Sequence, residues 1–204
     1  MERVSPAESG VTTDEADVVK GALSAPLGTE QLAVNRYRIP PGTGLPGGLH
    51  AHADQEEVFV VLSGVAVFET YAPAADATGT GETGAESGEL VVEAGEAVRF
   101  APGEFQSGRN GGDDELDVLA LGAPRDTEDV RVPVACSECG HSDLRLETGE
   151  ELTFVCPECD SERVPRPCPD CGHEILQVTL DDADGVVTAC QDCGSTFETP
   201  PLGK

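Results

Sequence analysis

Lysine is nearly missing from this chain: of 204 residues, only Lys20 and Lys204 carry an ammonium group. Tryptophan is absent, tyrosine occurs twice and phenylalanine six times. A core so poor in rings has to be assembled from valine, leucine and alanine, which excludes a large aromatic-lined site. No run approaches the ~20 apolar residues that a membrane helix requires. Residues 1–10 hold no apolar stretch of the signal-peptide kind. The expectation is a cytoplasmic protein without a membrane partner.

Acid is what the chain has in excess. Asp and Glu number 39 against 12 Lys and Arg, a formal net charge of -27. The excess is uniform, with 24 acids and 7 bases before Arg131 and 15 acids and 5 bases from there on. Like charge at this density strains a compact fold at low ionic strength. Molar salt, with a screening length of about 3 Å, relieves that strain. Acidic throughout and almost free of lysine, the sequence resembles halophilic proteins of haloarchaea.

By composition the chain divides into five stretches. Residues 1–30 are polar, with Pro and Gly, and read as a leader with room for one short strand. Over 31–122, apolar runs at 32–39, 58–62, 65–68, 90–93, 97–100 and 116–121 have strand length and no helical period. Short strands between Gly and Pro turns predict an all-β sandwich or barrel. The stretch 72–89, rich in Gly, Thr, Ala and Glu, reads as a long flexible loop. Its Gly79, Gly81 and Gly84 spell Gly-x-Gly-x-x-Gly, without the strand-to-helix setting that a dinucleotide site needs. Residues 123–133 read as a linker, and every cysteine lies beyond it.

The cysteines form four Cys-x2-Cys pairs, Cys136/Cys139, Cys156/Cys159, Cys168/Cys171 and Cys190/Cys193. A two-residue gap lets both thiolates of a tight turn face one tetrahedral ion, and two such turns complete a shell. The segments also repeat: Cys136-Ser-Glu-Cys139-Gly-His141 returns 32 residues later as Cys168-Pro-Asp-Cys171-Gly-His173. The repeat favours sequential pairing of the first four cysteines and of the last four. A disulfide scaffold would need an oxidising compartment, to which nothing directs the chain. These units resemble zinc ribbons of the rubredoxin-like type, over 134–164 and 165–200, each around one structural Zn²⁺. His141 and His173 are read as exposed turn residues, because each shell already has four thiolates. A closed shell holds a hairpin together and does no chemistry. With few bases in this half, nucleic acid is not the expected partner of the ribbons. A protein is, and the ribbons are expected to have no core in common with the barrel.

Upstream, the chain reads Gly44-x5-His50-Ala51-His52-x4-Glu57-x6-Gly64. Two apart on a strand, His50 and His52 point to one face. Glu57 follows a turn-like Ala53-Asp54-Gln55 and opens the next strand, and Gly64 turns that strand into the one after. Glu56 is the competing carboxylate. Two imidazoles and a carboxylate form the three-ligand face typical of non-haem iron, with positions left open.

Spacing for spacing, this pattern resembles the first signature of the cupin superfamily. The resemblance implies a double-stranded β-helix, a jelly-roll-like barrel, over 31–122. It also implies a divalent transition metal: Fe, Mn, Zn or Ni. The second cupin signature is matched in part by Gly95-x5-Ala101-Pro102-Gly103-Glu104-Phe105-Gln106-x3-Asn110. Gln106 stands where the family has a third histidine, and it is taken as a fourth, weaker ligand through its amide oxygen.

Cupins include dioxygenases, isomerases, decarboxylases, storage proteins and sugar-binding sensor domains, so the fold selects no function. Three readings stand. One is a metal-binding barrel for a small ligand, with ribbons docking a protein. Another is a metal-dependent enzyme of the dioxygenase or isomerase type, acting on a small molecule. The third is a degenerate barrel with an empty site. No catalytic acid or base beyond the shell is identifiable. Arg36, Arg38, Arg99 and Arg109 could hold an anionic group if they face inward. A homodimer through the barrel is left open.

Overall fold

The computed structural model describes residues 1–5, 11–14, 16–73, 85–149 and 151–203. The barrel half begins with β1 (Val11–Thr13), β2 (Val19–Ala22), the helical turn α1 (Ser24–Leu27) and β3 (Ala33–Ile39). It continues with β4 (Ala51–His52), β5 (Glu56–Ser63), β6 (Val65–Ala72), β7 (Glu86–Glu93), β8 (Ala97–Phe100), β9 (Phe105–Asn110) and β10 (Leu116–Ala123). After it come β11 (Val130–Val132), β12 (Leu144–Thr148), β13 (Leu152–Val155), β14 (Glu162–Pro165), β15 (Leu176–Leu180), β16 (Val186–Cys190), β17 (Thr196–Phe197) and β18 (Leu202–Gly203). The class is all-β, as expected. Among the described residues no helix is long and apolar enough to cross a membrane.

Strands in the order β1-β2-β3-β10-β5-β8 form one wall of the barrel, and β7-β6-β9 form another. In β10, Leu116, Val118 and Ala120 are buried while Asp117, Leu119 and Leu121 are less so. This is the two-residue period of a sheet with one face inward. The core between the walls includes Ile39, Val61, Leu116 and Val118 around three phenylalanines. Phe59 and Phe68 have ring centroids 5.0 Å apart, and Phe68 and Phe100 5.4 Å. Half of the chain's six phenylalanines are thus used here. Gly64 makes the β5–β6 turn at φ 84°, and a Cβ there would lie 2.9 Å from Leu116 Cα, so no other residue fits.

Two strands, not one, come from residues 1–30: β2 pairs with β3, from Val19 opposite Arg38 to Ala22 opposite Asn35, and β1 pairs with β2. Val18, 2% exposed, pins this segment into the barrel core. β7 starts at Glu86, ahead of the apolar run, because Ser87 and Glu89 pair through backbone with Tyr71 and Glu69. Residues 74–84, with Gly79, Gly81 and Gly84 and most of the expected loop, lie outside the described residues.

All four cysteine turns share one hydrogen-bond pattern. Cys136, Cys156, Cys168 and Cys190 each donate N–H to the carbonyl five residues on and accept from the N–H four residues on. That fourth residue is left-handed in every case, at Gly140, Asp160, Gly172 and Gly194. The hairpins β12–β13 and β15–β16 join the turns of each ribbon.

The ribbons do not stand apart from the barrel. Within 123–133 lies β11, paired with β12 on one side and with β4 on the other. The first ribbon's sheet, β18-β14-β13-β12-β11-β4, therefore runs into the barrel. Leu49, Ala51 and Phe105 share a buried cluster with Val132, Val134, Leu144 and Cys156, and with Val178 of the second ribbon. The expectation of separate cores is corrected. Hairpins this short cannot cover their own apolar side chains, and they use the barrel's flank instead.

Candidate metal centre

His50 and His52 come from β4 and the extended residues before it. Backbone bonds fix both: His50 N–H donates to Gln106 O (3.1 Å), Gln106 N–H donates to His50 O (2.8 Å), and Gly103 N–H donates to His52 O (2.9 Å). The two rings share a face, with centroids 5.0 Å apart and planes at 80°. Glu57 enters from β5, its Oε2 3.6 Å from His52 Nε2. One ligand atom from each of His50, His52 and Glu57 lies within 4.8 Å of the others.

Hydrogen bonds on the far side of each imidazole set its tautomer. His50 Nδ1 lies 2.9 Å from Gly48 O, which can only accept, so Nδ1 carries the proton. His52 Nδ1 lies 3.2 Å from Thr127 Oγ1, whose own hydrogen goes to Asp54 Oδ1 at 2.5 Å. Burial opposes ionisation of Asp54, yet hydrogen bonds from Thr127 and the Glu128 amide hold its carboxyl below the ordinary carboxylate range. Asp54 therefore accepts, Thr127 donates to it, and the Thr127 oxygen receives His52 Nδ1–H. Both Nε2 lone pairs are left for an ion, the arrangement that outer partners impose on metal-binding histidines.

Electrostatics point the same way. Burial pushes the Glu57 carboxyl up to about 7, against a hydrogen bond from Gln106. Burial, with the neighbouring His50, brings His52 down to about 4, and burial also lowers His50. Two neutral imidazoles and a carboxyl whose charge is disfavoured by burial make a donor set that a divalent cation would complement. These residues fit a metal ion by their chemistry.

Gln106 is 4% exposed and stands against the site, its Nε2 donating to Glu57 Oε2 at 3.2 Å. The amide oxygen is then the only atom it could turn toward an ion. Glu56, the competing carboxylate, points outward to Arg99.

In the ribbons, Cys136, Cys139, Cys156 and Cys159 form one cluster, and Cys168, Cys171, Cys190 and Cys193 the other. Sulfurs lie 3.7 Å apart in Cys136/Cys159 and Cys168/Cys193, 3.5 Å in Cys139/Cys156 and 3.6 Å in Cys171/Cys190. Around a tetrahedral ion with Zn–S near 2.3 Å, sulfurs stand about 3.8 Å apart, whereas a disulfide needs about 2.05 Å. The spacing matches a metal shell. His141 and His173 are outside both clusters, and they are half-buried where exposure was expected.

No protein-family model and no curated protein matches the sequence. A solved structure of a candidate sugar phosphate isomerase from Acidithiobacillus ferrooxidans is similar at 20% identity and a TM-score of 0.50, over 72% of this chain and 84% of that one. A sugar phosphate isomerase from a cupin superfamily, of Silicibacter pomeroyi, aligns at 20% identity and a TM-score of 0.48, over 70% and 78%. An oxalate oxidase in complex with glycolate aligns at 18% and 0.48, over 63% and 61%. The barrel has the cupin fold. At such identities the likeness concerns fold and carries no activity with it.

In this cupin barrel His50, His52 and Glu57 line a cavity of about 260 Å³, together with Tyr37, Gln106 and Thr127. Burial and the nearby Glu57 push the Tyr37 phenol up to about 12, so it stays an O–H donor. The four arginines considered for an anion do not serve it. Arg36 pairs with Asp117, Arg38 with Glu115, Arg99 with Glu56 and Arg109 with Glu89. Lys20 and Arg125 line the cavity instead. Sequence reasoning passed over both, along with Tyr37 and Thr127, because they sit outside the two motifs. The scarcity of lysine was the one signal that could have singled out Lys20.

Proposed function

We propose that the cupin barrel binds a divalent transition metal through His50, His52 and Glu57 and uses it to hold a small ligand. The carrying observation is the pair of imidazoles whose outer hydrogen bonds free both Nε2 atoms beside one carboxylate. Bound there, the ion would act as a Lewis acid with positions open to a ligand oxygen. Iron, manganese, zinc and nickel all suit such donors. Two zinc ions in the cysteine clusters would complete the metal content.

The ribbons serve first as buttresses. Ribbon one pairs with the His52 strand through β11. In ribbon two, Val178 O accepts from Leu49 N–H at 2.8 Å, beside the Gly48 carbonyl that holds His50. A Cβ on Gly48 would lie 2.7 Å from that same Val178 oxygen, so glycine permits the approach. Docking of a protein partner is a further role that exposed Leu152 and Ile175 support.

Catalysis is the second reading, and Tyr37 favours it as a proton-bearing group beside Glu57 in the cavity. The test is elemental analysis of the full chain and of His50→Ala. About three ions per chain are expected, with the variant losing one and keeping two zinc. Two ions in both proteins would leave the barrel without its metal and overturn the reading.

A further inference from the structure

The cavity reverses the charge balance of the molecule. Acids outnumber bases 39 to 12 over the chain, yet among the cavity's lining residues Glu57 is the one acid, against two bases, Lys20 and Arg125. Glu57 is already committed to the candidate metal site, so the remaining charge in the cavity is positive.

Neither base is neutralised as the surface arginines are. Lys20 Nζ lies 5.6 Å from the centroid of the Tyr37 ring, and no carboxylate of the described residues lies within 4.0 Å of it. Arg125 Nη1 donates to Thr29 O at 2.8 Å, which fixes the guanidinium to the leader segment. Its carboxylate neighbour is the adjacent Asp126, 3.8 Å from Nε and 87% exposed, a contact that water screens strongly. Lys20 comes from β2 and Arg125 from the segment after β10 that also carries Thr127, so two elements remote in sequence each place a basic residue in the lining of one cavity.

We propose that Lys20 and Arg125 bind an anionic group of the ligand, a phosphate or a carboxylate, so that the barrel selects small organic anions. This deepens the metal-and-ligand reading of the same cavity and rests on it for the ligand's other end. A volume of about 260 Å³ is below the roughly 300–1,000 Å³ of sites for drug-sized molecules, which keeps the anion small. A guanidinium offers two parallel donors to a phosphate or carboxylate, and an ammonium adds a point charge. Tyr37, whose ring faces Lys20, lines the same cavity and supplies a neutral O–H donor.

The test is titration calorimetry of the full-length, metal-loaded protein with inorganic phosphate and with malonate, at constant ionic strength, with the metal content of every variant measured in parallel. Wild type is expected to bind one probe more tightly, phosphate marking a phosphorylated ligand and malonate a carboxylate one. Lys20→Gln and Arg125→Gln should each weaken that probe by about tenfold or more, the worth of a lost charge-assisted hydrogen bond. Lys20→Arg should retain binding, and Arg99→Gln, which removes a charge outside the cavity, should leave it unchanged. Metal content should stay at the wild-type level in all four. Binding of neither probe, or equal affinities in wild type, Lys20→Gln and Arg125→Gln, overturns the proposal. So does an Arg99→Gln loss as large as theirs, which would make the effect one of overall charge. A barrel without metal whose anion binding still needs Lys20 and Arg125 would sustain this proposal and sink the metal reading.

Discussion

Val130 lies opposite His52 in an antiparallel pair, and across its other edge it lies opposite Leu146 of the first ribbon. One residue of β11 thus ties the backbone of a candidate metal ligand to a hairpin closed by four thiolates. The leading residues of the first ribbon's turns, Cys136 and Cys156, are buried in the same cluster as Ala51, the neighbour of His52. A ribbon that loses its ion should loosen this sheet from its outer edge inward.

Cys139→Ser tests that coupling, because Cys139 is exposed and its replacement disturbs little packing. The variant should lose one zinc by elemental analysis. The barrel's metal should also leave faster in the presence of a chelator, by about 10-fold, the scale seen when a ligand's outer support is removed. Unchanged retention of the barrel metal in a protein short of one zinc would mean that the ribbons only decorate the barrel.

Thr127→Val removes the oxygen that receives His52 Nδ1–H and the donor to Asp54. The side chains are alike in volume, so overall stability should change by no more than about 1 kcal/mol. Metal affinity should fall by about 10- to 100-fold, because His52 is then free to rotate and to change tautomer. Thr127→Ser keeps the hydroxyl and should restore most of the affinity. Competition against a chelator of known strength reads all three proteins. Equal affinities would remove Thr127 from the metal centre.

The division between what sequence revealed and what it hid follows the range of the contacts. His50, His52, Glu57 and Gly64 lie within 15 residues, and strand period and turn chemistry place them without knowledge of the fold. The cysteine turns are more local still, which is why their pairing could be read from a repeat. Thr127 is 75 residues from the ring that it holds, and Lys20 and Arg125 meet the cavity through strand pairings that no local pattern encodes. Residues 1–30 read as a leader because they are polar, with Val18 and Leu23 the buried apolar side chains among the described residues there. The shared core escaped notice because β11 has only three residues in a segment rich in Asp, Glu and Pro. Backbone pairing recruits both segments with the help of a few buried valines, Val18 in one and Val132 in the other, too few to make a readable apolar pattern.

Salt should govern stability. A formal charge of -27 sets acids against one another across the whole surface, and surface ion pairs such as Arg99–Glu56 and Arg109–Glu89 offset only part of it. The melting temperature should rise steeply as KCl increases from dilute to molar, most of it in the first decade, where the screening length falls fastest. Scanning calorimetry across that series checks the halophilic reading. A flat melting temperature would mean that the repulsion is too weak to matter and that the acidity has another origin.

Gln106 should set how tightly the barrel holds the proposed ion. Its backbone exchanges two hydrogen bonds with His50 that no side-chain substitution removes, so variants at this position should keep the register of the site. Its amide nitrogen donates to Glu57 at 3.2 Å, which orients the carboxylate and leaves the amide oxygen as the weak, neutral donor it could offer the proposed ion. Gln106→Ala should therefore lower affinity by about 10-fold through the loss of that orientation. Gln106→His should raise it by a comparable factor, because imidazole nitrogen is the stronger ligand for a divalent transition metal and the position is already inside the site. Opposite effects of the two substitutions are the signature of a residue that supports Glu57 and also faces the ion. If alanine lowers affinity and histidine fails to raise it, Gln106 acts only through Glu57. If neither changes affinity, the ion sits away from this wall of the barrel, and the shell of His50, His52 and Glu57 must be completed from another side.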